Sequence, residues 1–523
     1  MKILFVVPES VRKFILPGRH GVFDAAAPLL AGLTPDAIRT EIIDENVETI
    51  DYGTDADAVM ITVPFSNRAE HAYRISEEFR RRGKKTVLGG THLWYFPEEG
   101  FSHADAVVSG EAEGVWNDLI EDLRQGRLKK HYQSRKWVSL EDAPLPKYEL
   151  MKLERYVVAP IQTTKGCPNR CKFCAMWEYQ GNRLRHKKIE TVVEEMRLLQ
   201  KHPFRPFDRL PVRIDKQFYF VDLNFCVDAS YTKALLEKVA DLKISFWAQT
   251  SFSSISGKRS WMIKLLAESG CRFLSLGIES LEDEDLVSWN KRTHRQDELA
   301  PVFEMLHREG IDFHANLIFG GDNQGADYFQ KVREFIERHD ILALQPSIMY
   351  PFPKTKTHEE FVSGKRFYYY PKHDYPIGYC LLHVPPKMSR EEFAEKFVAF
   401  LSQVNDPAEV LRRYERVVTR YNTDRQKRTK PMMRGFSLLC LLGACIQSGV
   451  DRKTVLKAAR AMLSANDVRP IFCIVSAAML NRLRKDFSRS NILCEFDSDP
   501  IRGEAWCDRA ERGGGQASAA RGS

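Results

Sequence analysis

Two series of short apolar runs, each alternating with amphipathic helical segments, limit what this chain can fold into. The first opens with Lys2–Val7 (KILFVV), an unbroken apolar run of the kind buried on both faces of a parallel sheet. Arg39–Asp44, Asp57–Val63 (DAVMITV), Lys85–Gly89 and Ala104–Ser109 (ADAVVS) read as further strands. Between them, Arg68–Arg82 carries Ala69, Ala72, Ile75 and Phe79 at helical spacing, and Val115–Leu123 reads as a closing helix. Strands alternating with helices predict an α/β, doubly wound, Rossmann-like domain over residues 1–130. Ligands of such a sheet sit beyond the carboxyl ends of its strands. The loops at that end are Pro8–Gly21, Pro64–Asn67, Gly89–His92 and Gly110–Gly114. No GxGxxG follows the first strand, which disfavours a dinucleotide.

Residues 131–156 read as a linker, polar and then broken by Pro144 and Pro146. The second series follows. Val157–Thr163, Phe218–Asp222, Ile244–Gln249, Phe273–Ile278, Phe313–Phe319 and Leu344–Tyr350 are its strands, with helical patterns between them. Six βα units are too few to close a barrel, so residues 157–360 predict an open (βα)6 half-barrel of TIM type, reactive at its carboxyl end. Residues 361–495 predict a mostly helical region: Glu391–Val404, Pro407–Tyr421, Phe436–Gln447 and Thr454–Leu463, preceded by an aromatic loop (YYYPKHDYPIGY). Residues 496–523, rich in Gly, Ala, Ser and Arg toward their end, predict a disordered tail.

At 43% apolar and 28% charged residues the composition is that of a globular protein. No uncharged apolar run reaches the ~18 residues of a membrane helix. The start, MKILFVVPES, lacks a signal-peptide core. A cytoplasmic protein is expected, with peripheral attachment to an anionic membrane through Arg425, Lys427, Arg428 and Lys430 as the alternative to a solvated surface. The net charge of +8 is spread over 78 basic and 70 acidic residues, so nucleic acid is a disfavoured partner. Eleven cysteines in such a chain argue against a disulfide framework. Three of them, Cys167, Cys171 and Cys174, are bunched, and none precedes them.

Those three lie in Gly166-Cys-Pro-Asn-Arg-Cys-Lys-Phe-Cys174, a C-x3-C-x2-C loop after the first strand of the second series. Three thiolates on one short loop can hold one face of a metal centre. Structural zinc wants four closed ligands. No second cysteine pair follows, and His186 as a fourth ligand fits no familiar zinc pattern. A [4Fe–4S] cluster held by three thiolates keeps one iron open to a small chelating ligand that must receive an electron. Iron–sulfur is the favoured reading over zinc or incidental cysteines.

A C-x3-C-x2-C loop at this point of a partial barrel resembles the radical S-adenosylmethionine superfamily. Further segments are similar to its cobalamin-binding branch: FRRRG (79–83), VLGGTHLWYFP (87–97), HADAVVSG (103–110) and EAEG (111–114), then YFVDLN (219–224), GIES (277–280), NKRT (290–293), FGGD (319–322) and KMSRE (387–391). The match covers roughly residues 1–400, and FGGD resembles most the sub-branch that includes hopanoid methylases. The resemblance implies that Cys167, Cys171 and Cys174 ligate the cluster and that the backbone at Phe173 contacts the adenine of S-adenosylmethionine. Asp222, Asn224, Gln249, Ser251, Glu279 and Ser280, at strand ends, are candidate partners of that cofactor. Gly89, Gly90 and Thr91, with Ser66 and Glu111, are candidates for cobalamin, since glycine lets backbone approach a corrin. The Asp-x-His-x-x-Gly motif of classical methionine synthases is absent from residues 1–140, so cobalamin is expected without histidine ligation. Trp177, Tyr179 and Tyr350 are candidate walls of a substrate cavity, whereas His314 and His383 are expected to be structural. No general acid or base is identified.

The function implied is that of a cobalamin-dependent radical enzyme methylating an unactivated carbon of a lipid or secondary metabolite. It would act through a 5′-deoxyadenosyl radical and methylcobalamin, with an external flavodoxin- or ferredoxin-type electron donor. The first alternative is non-methyl radical chemistry (cyclisation, oxidation or rearrangement) on the same architecture. A methylthiotransferase is disfavoured because its N-terminal cysteines are missing. A metal- or nucleic-acid-binding module is the remaining class.

Overall fold

The computed structural model describes residues 1–9, 21–22, 24–64, 68–134, 137–205, 213–291, 296–367 and 380–421, with Lys453, Leu456, Ile492 and Leu493. The expected loop 368–379, helices 436–447 and 454–463 and tail 496–523 lie outside this set, apart from Leu456.

The first part of the chain supplies β1 (Lys2–Val7), β2 (Gly21–Val22), β3 (Arg39–Asp44), β4 (Ala58–Thr62), β5 (Lys85–Gly89), β6 (Ala106–Ser109) and β7 (His131–Gln133). All but β2 form a six-stranded sheet in the order β3-β1-β4-β5-β6-β7, and each neighbouring pair is parallel. The order reverses between β1 and β4, the switch point at which such sheets bind ligands. Ile3–Val7 and Ala58–Ile61 are buried, as their unbroken apolar sequence requires. Helix Ala69–Arg81 lays Ala69, Ala72, Ile75, Ser76 and Phe79 on the sheet, and the one polar member, Ser76, is satisfied by the carbonyl of His103 (2.7 Å).

Two expectations about the domain boundary are corrected. The stretch read as the start of a linker contains β7, because Tyr132 packs inward while its hydroxyl donates to the carboxylate of Asp122 (3.0 Å). The rest is packed too: Tyr148 and Leu153 join the core of the second unit, and the Tyr148 hydroxyl donates to Glu195. In the other direction, β2 leaves the first sheet and pairs with the edge of the second.

The second sheet consists of β2 with β8 (Tyr156–Ile161), β11 (Gln217–Phe220), β12 (Ser245–Ser251), β13 (Cys271–Glu279), β14 (Asp312–Phe319) and β15 (Ala343–Ile348). The short strands β9 (Thr164–Lys165) and β10 (Arg185–His186) form a separate antiparallel ribbon. The sheet order is β15-β14-β13-β12-β11-β8-β2, parallel throughout, an open half-barrel as expected. Helices Ile189–Gln200, Ala229–Ala240, Trp261–Glu268, Gln296–Arg308 and Tyr328–Arg338 alternate with its strands. Asp228 caps the second of these, accepting from the amides of Ser230 and Tyr231. Helices Arg390–Val404 and Pro407–Arg420 complete the described chain; Phe397 and Phe400 of the first meet the ring of Phe319 at the end of β14. The first of them thus extends the barrel's core.

The two sheets are joined at Asp44, the last residue of β3, which accepts the hydroxyl of Tyr156 at the start of β8 (2.9 Å). Burial pushes the Asp44 carboxyl up to about 6 against the hydrogen bonds from Asn46 and Tyr156 that lower it. The proton is therefore held more tightly in the folded chain than in the unfolded one. Stability from this group is present in acid and is lost as pH rises from about 4 through about 6. Asp44→Asn removes that loss, so urea unfolding should show the variant gaining on the native chain across this window; a pH-independent difference would contradict it.

Candidate cofactor and substrate site

The cysteine loop grows out of β9 and returns through β10, a ribbon that fixes both its ends. Gly166 opens it at φ +90, a conformation that favours glycine, and a Cβ there would overlap the carbonyl of Arg183. The amide of Cys167 donates to Gly181 O (3.0 Å), that of Cys174 to Cys171 O (3.1 Å), and the indole of Trp177 also donates to Cys171 O (2.9 Å). From the barrel, Asn290 donates to the carbonyl of Arg170 (3.0 Å). Beneath the loop, buried Asp222 accepts from the hydroxyls of Thr163 (2.8 Å) and Thr164 (2.6 Å) and from both amides.

Burial pushes all three thiols up, Cys171 to about 12. They are protonated at neutral pH unless a cation replaces the proton. Among the described residues no three thiol, imidazole or carboxylate groups converge as ligands of a single ion would. His186 is no fourth ligand, since it lies on Asp228 (3.1 Å) and the ring of Tyr231. A cubane distributes its thiolates over separate irons, so three thiols around one loop suit it better than tetrahedral zinc. Nearby stands Lys291, buried, with its ammonium 2.8 Å from Glu279. Burial pulls its pKa down, but Glu279 and the thiols of Cys171 and Cys174 together raise it above the ordinary value. A fixed cation beside three thiolates offsets part of the charge of an anionic cluster.

The other cofactor candidates divide. Glu279 ends β13 at φ +73, an uncommon conformation for glutamate, and remains half-buried at the barrel mouth. Gln249 is likewise half-buried, and its amide donates to the carbonyl of Asp222 (3.0 Å). Asn224, Ser251 and Ser280 sit further back. The Asn224 carbonyl accepts from Thr250 (2.9 Å) and the amide of Ser251, and its amide donates to the Ser251 hydroxyl. Ser280 is fully buried among Asp285, Gln324 and Tyr328. Phe173 packs edge-on against Trp289 (5.7 Å).

Across the mouth stands the carboxyl edge of the first sheet. Gly90 has φ +136, and a Cβ there would overlap the backbone of Val63, so the turn after β5 admits only glycine. The Tyr179 hydroxyl of the cysteine segment donates to the carbonyl of Gly110, just after β6 (3.3 Å). Trp94 and Tyr95 reach the barrel loops, Trp94 against Tyr179 (5.3 Å) and Tyr95 against Phe352 (6.2 Å), with Tyr350 behind (4.7 Å). Tyr179 and Tyr350 thus stand in an aromatic wall, whereas Trp177 braces the loop. Glu111 is buried and forms a bidentate pair with Arg185 of β10 (both contacts 2.7 Å) while accepting the amide of Val138 (3.0 Å). Beside it Lys165 of β9 pairs with Glu113. Glu111 therefore acts as an inter-sheet tie, and Ser66 lies outside the described residues. Lys291, Trp94 and Tyr95 lay within quoted motifs but had no role from sequence, because their partners are remote in the chain. His383 is structural as expected: it is fully buried, on the carbonyl of Gly320 (2.7 Å).

Two outcomes are expected. Cys167→Ser, Cys171→Ser and Cys174→Ser each lower bound iron, from about four per reconstituted chain to well below one, whereas Cys226→Ser, in the barrel core, does not. Arg185→Met leaves Glu111 buried and unpaired, at a cost of about 3–5 kcal/mol, read as a lower urea midpoint; Arg185→Lys restores only part because it lacks the fork.

No family model matches the chain. It is 29% identical over 364 residues to bacteriochlorophyllide d C-12(1)-methyltransferase of Chlorobaculum tepidum, covering 69% of this chain and 77% of that one. It is 22% identical over 442 residues to hopanoid C-2 methylase of Rhodopseudomonas palustris, covering 79% of each. Its fold is similar to that of TsrM from Kitasatospora setae, a radical S-adenosylmethionine methyltransferase solved with cobalamin and a [4Fe–4S] cluster. That likeness has a TM-score of 0.61 at 15% identity, over 88% of this chain and 99% of that one. With the cysteine loop, the half-barrel and the facing doubly wound sheet, these relationships support the resemblance to the cobalamin-binding branch of the radical S-adenosylmethionine superfamily.

Proposed function

We propose that the protein is a cobalamin-dependent radical S-adenosylmethionine C-methyltransferase whose substrate is a largely apolar ring compound. The observation that carries this reading is the facing of the two carboxyl edges. The sheet edge carrying the turn at Gly89, Gly90 and Thr91, suited to close approach of a corrin, opposes the cysteine loop through the Tyr179–Gly110 and Glu111–Arg185 contacts. The relatives named above act on bacteriochlorophyllides and hopanoids, both large ring systems. The aromatic wall of Trp94, Tyr95, Tyr179, Tyr350 and Phe352 suits the same class.

In this reading Cys167, Cys171 and Cys174 hold the cluster, and Lys291 balances its charge. The backbone at Phe173 and the side chains of Gln249 and Glu279 orient S-adenosylmethionine. Asp222, Asn224, Ser251 and Ser280 support them from behind, since their polar atoms are engaged within the protein. The bound cofactors supply one-electron cleavage of a sulfonium and a transferable methyl group. The protein aligns their reacting faces and excludes water with its aromatic wall. Reducing equivalents come from a flavodoxin- or ferredoxin-type donor.

Anaerobic protein given iron, sulfide, hydroxocobalamin and a low-potential reductant should move label from methyl-labelled S-adenosylmethionine to a magnesium chlorin or a hopene. Formation of 5′-deoxyadenosine with an unlabelled, cyclised or oxidised product would replace methylation with other radical chemistry.

A further inference from the structure

The strands of the half-barrel present two sides. Leu274, Leu276, Ala315, Leu317 and Leu344 belong to the core beneath the surrounding helices. The residues alternating with them are half-buried and line the lumen, because successive side chains of a strand point to opposite faces. The lumen has an aromatic floor across four neighbouring strands. Tyr219 lies 4.4 Å from Trp247, Trp247 lies 6.5 Å from Phe273, and Phe273 meets the ring of His314 at 4.9 Å.

One step nearer the mouth a small polar group interrupts this surface. Ser275 of β13 is in register with His314 of β14, and Asn316 with Gly277. The Ser275 hydroxyl lies 2.8 Å from His314 Nε2 and 3.0 Å from Asn316 Nδ2. Burial pulls the imidazole down to about 4, so it is neutral at pH 7. The proton order follows from inventory. The Asn316 amide can only donate to Ser275, which then donates to His314 Nε2, placing the imidazole proton on Nδ1. If His314 Nε2–H donated instead, the Ser275 hydroxyl would accept from both neighbours, and its own proton would have only the long contact to Asn316 Oδ1 (3.4 Å), so the first order makes the better use of the hydroxyl. No described group hydrogen-bonds Nδ1. Gly277 makes room for the pair above it, since a Cβ there would meet Glu279 Oε1 (2.5 Å) and Lys291 Nζ (3.3 Å). The polar group thus lies one layer below the Glu279–Lys291 pair and one above the aromatic floor.

We infer that Ser275, His314 and Asn316 form a substrate-recognition site in the barrel lumen, in which His314 Nδ1–H donates to an uncharged acceptor, a carbonyl or ether oxygen, carried by an apolar ring. This deepens the reading of the lumen as the reaction chamber and rests on it. A carboxylate is a poor fit, because the donor is neutral and the trio holds no cation. Asn316 and Ser275 are positioning residues: they fix the tautomer that makes His314 a donor.

The test uses the full-length, cluster-loaded protein and two rings that differ by one carbonyl, 9-fluorenone and fluorene, with affinities measured by equilibrium dialysis. His314→Phe keeps the aromatic contact with Phe273 and removes the donor. It should weaken fluorenone about tenfold and fluorene less than about twofold. His314→Gln, a neutral donor, should restore part of the difference. Ser275→Ala should weaken fluorenone selectively by freeing the tautomer. Equal losses for both rings, no loss for fluorenone, or no binding of either ring by the native chain would overturn the site. Iron and corrinoid contents of the same preparations report on the methylase reading separately: a corrinoid-free protein that still discriminates the two rings removes the methylase and keeps the site.

Discussion

The forked pair between Glu111 and Arg185 is the constraint on which the rest of this architecture depends. Either sheet alone has an ordinary ligand-binding edge. What makes a shared chamber is that a carboxylate just beyond β6 and a guanidinium on β10 meet with nearly complete exclusion of water. Such a pair adds little stability beyond an apolar contact of the same shape, but it tolerates no misalignment, because each separated charge would be stranded. Arg185 also donates to the carbonyls of Val138 and Gln180, so it fixes the inter-domain chain and the far end of the cysteine segment together. The Lys165–Glu113 pair repeats the tie at the near end. The ribbon from which the cysteines hang is therefore positioned by the first domain as much as by the barrel.

From that tie the chamber is layered. The thiols and Lys291 occupy the top, Glu279 follows, then Ser275, His314 and Asn316, and the aromatic floor closes the bottom. Charge falls from layer to layer, which suits an anionic cluster above and an apolar substrate below. Buried Asp222 holds the root of the loop and Asn224 holds the turn after β12, so the polar residues at the strand ends form a rigid scaffold behind the half-buried Gln249 and Glu279.

Much of this was legible in the sequence. Every barrel strand but the edge strand β2 was expected within a few residues, because apolar residues recur along each of them and the helices between them carry a strong periodicity. The cysteine loop was legible because its three cysteines lie within eight residues of one another. What escaped was whatever depends on contacts remote in sequence. β7 has only Tyr132 to pin it, and β2 is two residues long, so neither has a pattern of its own. Asp222, Asn224, Ser251 and Ser280 had the right position for cofactor contacts, but polar residues at strand ends also satisfy neighbouring backbone and side chains, and these do so. Glu111 was read toward the corrin because its charge partner lies 74 positions away. His314 was read as structural, yet its alternation with buried Phe313 and Ala315 already held the signal that it faces the lumen.

The most direct test of the account asks whether two cofactors face one another across this mouth. Protein loaded anaerobically with iron, sulfide and cobalamin can be reduced so that both the cluster and cobalt(II) are paramagnetic. The account predicts that the cobalt(II) resonance of the doubly loaded protein is split or broadened by the cluster spin, and that this coupling disappears in Cys171→Ser. A cobalt signal indifferent to the cluster, or iron bound with no corrinoid, would contradict it.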